Sequence, residues 1–132
     1  MAAKIPPLGI LQGRLTLSTD GSIQFFPKDN WQSEFEAAHN IGFDCIELLI
    51  KPDSYEQNPL WSEHGIKTLA YLVEKNNLAI HSVHAFYGKG CHYPEVLRRI
   101  VSASAHFGVR TVLVSFFNQN ALKIPSTRRN VG

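Results

Sequence analysis

The chain has 132 residues, of which 44% are hydrophobic and 18% charged, with a formal net charge of +2. This length and composition suit one globular domain with enough apolar residues for a core. The charges are scattered, and no apolar run approaches the roughly 18 residues that a membrane span needs. We therefore expect neither a nucleic-acid partner nor a membrane partner.

The N-terminal segment and the cysteines indicate the cellular compartment. The N-terminal segment MAAKIPPLGI lacks the apolar core of a signal peptide. Cys45 and Cys91 form no CxxC motif, and both are expected to be reduced thiols. These features predict a cytoplasmic protein.

A short strand and a long loop precede the first predicted helix. Residues 8–11 have the apolar pattern of a buried strand. Residues 13–30 form a long connection, in which a turn signal at 19–22 favours a small hairpin. Asp29 or Asn30 is expected to act as the N-cap of the helix that follows.

The rest of the chain alternates between predicted helices and strands. The three helices are expected to end at Gly42, Asn77 and Gly108, because glycine and asparagine tolerate the left-handed conformation. The second and third helices are predicted at about 61–75 and 94–107, and the remaining strands at 43–50, 78–85 and 110–116.

This repeated strand–loop–helix unit predicts a parallel sheet with right-handed crossovers. Two architectures fit, an open doubly wound sheet or the start of a closed (β/α)₈ barrel. Long polar loops after the strands and very short connections after the helices favour the barrel. No GxGxxG or P-loop follows the first strand, which weakens a nucleotide-binding fold. The fold prediction is α/β, with parallel βα repeats that form a partial TIM barrel of about four strand–helix units.

Polar residues near the ends of the strands are the candidates for substrate binding. Glu47 is a lone carboxylate in an apolar strand, and a buried carboxylate needs a partner or a function. Gln12 and Arg14 share a face if the first strand extends that far. Arg14 either forms a structural pair with Glu47, or these three side chains bind hydroxyls or an anionic group.

Histidines in the third strand raise the question of a metal. His81 and His84 are three residues apart, so on a strand they face opposite sides and cannot share one ion. His84 shares its face with Ser82, and in the fourth strand Ser115 shares a face with Leu113. His84 either reaches the pocket or is a hydrogen-bonded structural histidine.

Five segments, taken in chain order, form a specific combination. They are GILQGRL, IQFFPKDNWQSEFEAAHNIGFDCIELL, NPLWSEHGIK, SVHA and FGVRTVLVSF. In this combination, from residue 8 to 122, the chain resembles the N-terminal half of sugar-phosphate isomerase/epimerase-like proteins. These proteins belong to the xylose-isomerase-like TIM-barrel superfamily. The resemblance divides the chain into a half-barrel over 1–122 and a polar tail over 123–132.

The resemblance implies a metal-dependent isomerase or epimerase that acts on a sugar or sugar phosphate. Such enzymes move a proton beside a carbonyl through an enediol, with Mn, Mg or Co stabilising the oxyanion. Gln12, Arg14 and Glu47 match positions at the substrate mouth of the family, and His84 lies where relatives place pocket residues. Phe86 departs from the polar or acidic residue expected there. No catalytic residue and no metal ligand is assigned, since the family takes its ligands from later strands.

The length of the chain departs from the family. A TIM barrel needs about 250 residues, so the resemblance predicts a truncated chain, and one expectation is that it is inactive alone. One alternative is an assembly with a second half-barrel, either as a homodimer or with a separately encoded partner. Another is a binding module that takes a small anionic or sugar ligand without catalysis.

Overall fold

The computed structural model describes residues 3–51, 54–87 and 93–116. The protein has an α/β structure in which four parallel strands alternate with three α-helices, as the sequence predicts. The strands are β1 Gly9–Leu11, β2 Cys45–Ile50, β3 Ala79–Tyr87 and β4 Thr111–Phe116. The helices are α1 Ser33–Ile41, α2 Glu63–Lys75 and α3 Tyr93–Ala105.

The four strands lie in the sheet in the same order as in the chain, β1-β2-β3-β4. All neighbouring strands are parallel. Right-handed connections that always advance in one direction place their helices on one face of the sheet. The sheet is open, and within the described residues β1 and β4 each pair with a single neighbour.

The core lies between the helices and one face of the sheet. Alternate residues of β2 and β3 point to this face, and the helices bury their apolar stripes against them. The fully or almost fully buried members are Ile46, Leu48, Ile50, Val83 and Ala85 from the strands and Phe35, Leu69 and Ile100 from the helices.

The ends of the helices follow the sequence in part. Gly42, Asn77 and Gly108 adopt positive φ angles of 103°, 51° and 68°, which confirms the predicted C-terminal signals. The predicted N-caps of α1 are wrong: the helix begins at Ser33, and Gln32 in the cap position makes no side-chain cap hydrogen bond. Residues 28–33 form successive tight turns whose backbone N–H groups bond to carbonyls two or three residues earlier, which delays the start of the helix.

The hairpin predicted between β1 and α1 does not form, since residues 12–32 contain no strand. Its turn is closed internally, because the N–H of Ser22 donates to Ser18 Oγ and Asp20 Oδ1. Lys51 Nζ also donates to the carbonyl of Gln24, which ties this loop to the end of β2. Cys91 and the tail 123–132 lie outside the described residues.

No helix in the described part of the chain combines the length and the apolar character required to cross a membrane.

Candidate functional site

The sheet face opposite the helices carries four polar side chains from three adjacent strands. Glu47 comes from β2, Ser82 and His84 from β3, and Ser115 from β4. The strand register sets Glu47 beside Ser82, and Ser115 beside Phe86, two residues beyond the pair of His84 and Leu113. We call these four residues the polar row.

Each member of the polar row contacts another member on the neighbouring strand. Ser82 Oγ donates a short hydrogen bond to Glu47 Oε2. His84 Nδ1 lies 3.8 Å from Glu47 Oε1, and His84 Nε2 lies 2.8 Å from Ser115 Oγ. The Glu47 side chain keeps 29% of its surface exposed and that of His84 keeps 15%. The prediction that Ser82 and His84 share a face is confirmed, and both contact the carboxylate of Glu47.

A shallow cavity of about 220 Å³ lies beside Glu47, towards the start of the strands. His81 lines it, although simple alternation predicted that His81 would point the other way from His84. The register of β2 and β3 shifts between Ile46 and Glu47, so that β3 carries one additional residue, His81, at that point. The shift interrupts the alternation on which the prediction depended.

Cys45 lies in the wall of the same cavity as a free, buried thiol. Its Sγ would be 2.8 Å from a Cβ placed on Gly9, so the glycine leaves room for the thiol. Burial raises the pKa of Cys45, and the negative charges of Asp44 and Glu47 add to the effect. The thiol is therefore held in its protonated, unreactive form.

Gln12 is buried, with 1% of its surface exposed. Its side chain bonds to a backbone group of β2 and does not belong to the polar row. Its Oε1 accepts a hydrogen bond from the N–H of Leu49, just beyond the point where β1 ends. Asn58 Nδ2 donates to the carbonyl of Leu49. Two side-chain amides therefore satisfy the Leu49 backbone groups that β1 is too short to reach.

Arg14 does not pair with Glu47, so the alternative of a structural Arg14–Glu47 pair is wrong. The Arg14 side chain is exposed, and its Nη1 donates to the carbonyl of Ile23 in the same loop. The physical reason is that β1 ends at Leu11 and the chain turns at Gly13, whose φ is 87°. Strand alternation therefore does not extend to residue 14.

Glu34 is a buried carboxylate that sequence reasoning missed. Only 1% of its surface is exposed, and it accepts hydrogen bonds from the N–H groups of Gly13 and Leu15 and from Thr16 Oγ1. Burial raises its pKa, against the opposing effect of these hydrogen bonds. In the sequence Glu34 resembles its exposed neighbour Glu36, because both are acidic residues in the first turn of α1. Its role is to hold the loop after β1 against α1.

The described residues do not form a metal site by themselves. Within them, no group of three or more His, Cys, Asp or Glu side chains is arranged to hold a metal ion. Glu47 and His84 supply two potential ligands, and one oxygen of Glu47 already accepts from Ser82.

Comparisons of the chain with protein-family models, with curated proteins and with solved structures found no match. The isomerase resemblance therefore stays a prediction, and the geometry of the polar row is the basis for a proposed function.

Proposed function

We propose that the polar row binds a small sugar or sugar phosphate, and that the chain is an isomerase/epimerase-like half of a TIM barrel. The sheet order supports the architecture, because consecutive parallel strands with helices on one face are the arrangement from which a (β/α)₈ barrel is built. The exposed face then corresponds to the barrel interior. His84 and Ser115 lie towards the carboxyl ends of their strands, where barrel enzymes hold their substrates.

The observation that carries the proposal is the carboxylate–imidazole pair. Glu47 and His84 are 3.8 Å apart, and both keep part of their surface open on the uncovered face. A carboxylate in this position accepts a proton from a carbon beside a carbonyl, and the neighbouring imidazole exchanges a proton with the carbonyl oxygen. The hydroxyls of Ser82 and Ser115 add hydrogen-bonding groups that suit a polyhydroxylated ligand.

Gln12 and Arg14 are not part of the proposed site. Both side chains bond to backbone groups of neighbouring segments, Gln12 to Leu49 and Arg14 to Ile23. Their predicted contacts with substrate stay predictions. The metal that the resemblance implies does not fit the described residues, so no step of the proposal passes through it.

The experiment is hydrogen exchange from deuterated water into ribulose 5-phosphate, followed by proton NMR. We expect deuterium to enter at a carbon next to the carbonyl, and Glu47→Gln to slow this by at least about 100-fold, the usual size of a general-base contribution. Glu36→Gln is the control, because Glu36 is exposed on α1. Absence of exchange, or equal exchange in Glu47→Gln, would refute proton transfer by this chain.

Self-association is a second candidate function, favoured by one observation. Leu113 shares a sheet face with His84, and 49% of its surface is exposed. A two-fold axis along the barrel axis would set β4 beside β1 of a second copy and bury both edges. We expect light scattering to give a dimer that Leu113→Lys dissociates, whereas Val101→Lys on the exposed side of α3 leaves it intact. A monomeric mass for the unmodified chain would refute this candidate.

A further inference from the structure

Ser115, His84 and Glu47 of the polar row are arranged like the serine, histidine and acid of a hydrolase triad. Ser115 Oγ lies 2.8 Å from His84 Nε2, and the other ring nitrogen, Nδ1, lies 3.8 Å from Glu47 Oε1. The negative carboxylate favours the tautomer with the hydrogen on Nδ1. Nε2 is then the acceptor, and the hydroxyl of Ser115 donates to it.

The surroundings of the imidazole hold this order in place. The ring of Phe86 stacks on that of His84, with centroids 4.0 Å apart and an interplanar angle of 28°. Ser82 holds Oε2 of Glu47, which leaves Oε1 directed towards the imidazole. Because the three groups come from adjacent strands of one sheet, their spacing is set by the strand register. A site built on strands is more rigid than one built on loops.

We propose that Ser115 is the nucleophile of an ester-hydrolysing site, with His84 as its general base and Glu47 as the residue that positions the imidazole. The constellation matches the logic by which serine nucleophiles are activated on unrelated folds. The distance of 3.8 Å from Glu47 to His84 is longer than a hydrogen bond, as is common before substrate binds. The proposed substrates are small esters of short-chain carboxylic acids.

The reaction balances with water as the only co-reactant. Ser115 Oγ attacks the ester carbonyl carbon while its proton passes to His84 Nε2. The carbon–oxygen bond to the alcohol breaks, and the proton on Nε2 goes to the departing alkoxide. Water then attacks the acyl-serine and gives a proton to Nε2, and the free acid leaves as Ser115 regains its hydrogen. This is acyl transfer, so it goes beyond the proton transfer at carbon proposed above and does not depend on sugar binding.

The test is labelling of the full chain with a fluorophosphonate, followed by peptide mass spectrometry. We expect one adduct, on Ser115, and hydrolysis of p-nitrophenyl acetate that is lost in Ser115→Ala and His84→Gln. Ser102→Ala, which changes an exposed serine on α3, is the matched control and should keep both properties. Labelling of the unmodified chain needs no variant, so an adduct elsewhere or no adduct overturns the proposal whether or not the variants fold.

The role of Glu47 needs a measurement that loss of structure would not reproduce. We expect Glu47→Gln to slow labelling by at least about 10-fold, since removing the acid of such a triad costs up to roughly 10⁴-fold. We expect Glu47→Asp to restore part of the rate, and the pH profile of labelling in Glu47→Gln to differ from that of the unmodified chain. An unchanged rate and profile would remove Glu47 from the site. A chain that exchanges deuterium into a sugar but is not labelled would keep the proposed function and refute the hydrolase.

Discussion

Both carboxylate oxygens of Glu34 accept the N–H of Gly13, at distances of 2.8 and 3.0 Å. Gly13 follows directly on Gln12, whose Oε1 bonds to the N–H of Leu49 on β2. The buried carboxylate of Glu34 on α1 therefore fixes the start of the long loop at Gly13. This in turn keeps the side-chain amide of Gln12 in place beside β2.

Replacing Glu34 with alanine tests this connection. The N–H groups of Gly13 and Leu15 and the hydroxyl of Thr16 would lose their common acceptor. We expect the free energy of unfolding to fall by about 1–3 kcal/mol, the cost of leaving a buried polar group unsatisfied. Urea unfolding followed by circular dichroism measures it. Glu36→Ala is the control, and equal loss in the two variants would show that the carboxylate of Glu34 has no special role.

The pH dependence of stability gives a second test of Glu34. Burial is the largest influence on this group and raises its pKa. A carboxyl group whose pKa is higher in the folded state stabilises the fold fully at pH values below its ordinary pKa. That stabilisation is lost as the pH rises through the pKa of the folded state. We expect the stability difference between the unmodified chain and Glu34→Ala to shrink as pH rises from about 4. Urea unfolding across pH checks this, and a difference that widens with pH would contradict it.

Gly13 has no room for a side chain, whereas Gly21 has open space around it. Both have positive φ, 87° and 74°, but a Cβ on Gly13 would lie 1.8 Å from the carbonyl oxygen of Phe25, whereas one on Gly21 meets nothing within 4 Å. We expect Gly21→Ala to lower the free energy of unfolding by about 1–2 kcal/mol, the cost of the left-handed conformation. Gly13→Ala should cost clearly more. Thermal unfolding of both variants measures the difference, and equal melting temperatures would disprove the clash.

Asn58 is expected to stabilise the end of β2. Its Nδ2 donates to the carbonyl of Leu49, and its Oδ1 accepts the N–H of Leu60. Asn58→Ala leaves both buried backbone groups without a partner, so we expect a loss of about 1–3 kcal/mol in the free energy of unfolding. Gln57→Ala, at the exposed preceding residue, serves as the control in the same denaturation experiment. A loss no greater than in Gln57→Ala would exclude a structural role for the Asn58 amide.

Much of the fold was predictable, because strands and helices have distinct apolar periods and glycine or asparagine marks helix ends. The parallel order follows from the short connections between helices and strands. The errors fall in the loop between β1 and α1. There the expected hairpin was wrong, because polar side chains such as Ser18 and Asp20 close the turn within the loop. Local hydrogen bonds of this kind have no hydrophobic period to reveal them.

The candidate site was predictable only where a regular strand continues. Glu47 and His84 lie on one face because alternation holds through the middle of β2 and the later part of β3. It fails for Arg14, which lies after the end of β1, and for His81, which occupies the register shift. Glu34 and Glu36 have the same chemical character and differ only in which side of α1 the fold buries.

Ligand binding at the polar row is tested most directly by titrating the isotopically labelled chain with ribulose 5-phosphate in a ¹H–¹⁵N NMR experiment. We expect progressive shifts for the backbone amides of Ser82 and Ser115 and for the ring nitrogens of His84. The amide of Tyr71, on the exposed side of α2, should not move. Shifts confined to the helical side of the sheet, or no shifts at millimolar ligand, would contradict a sugar-phosphate site on this face.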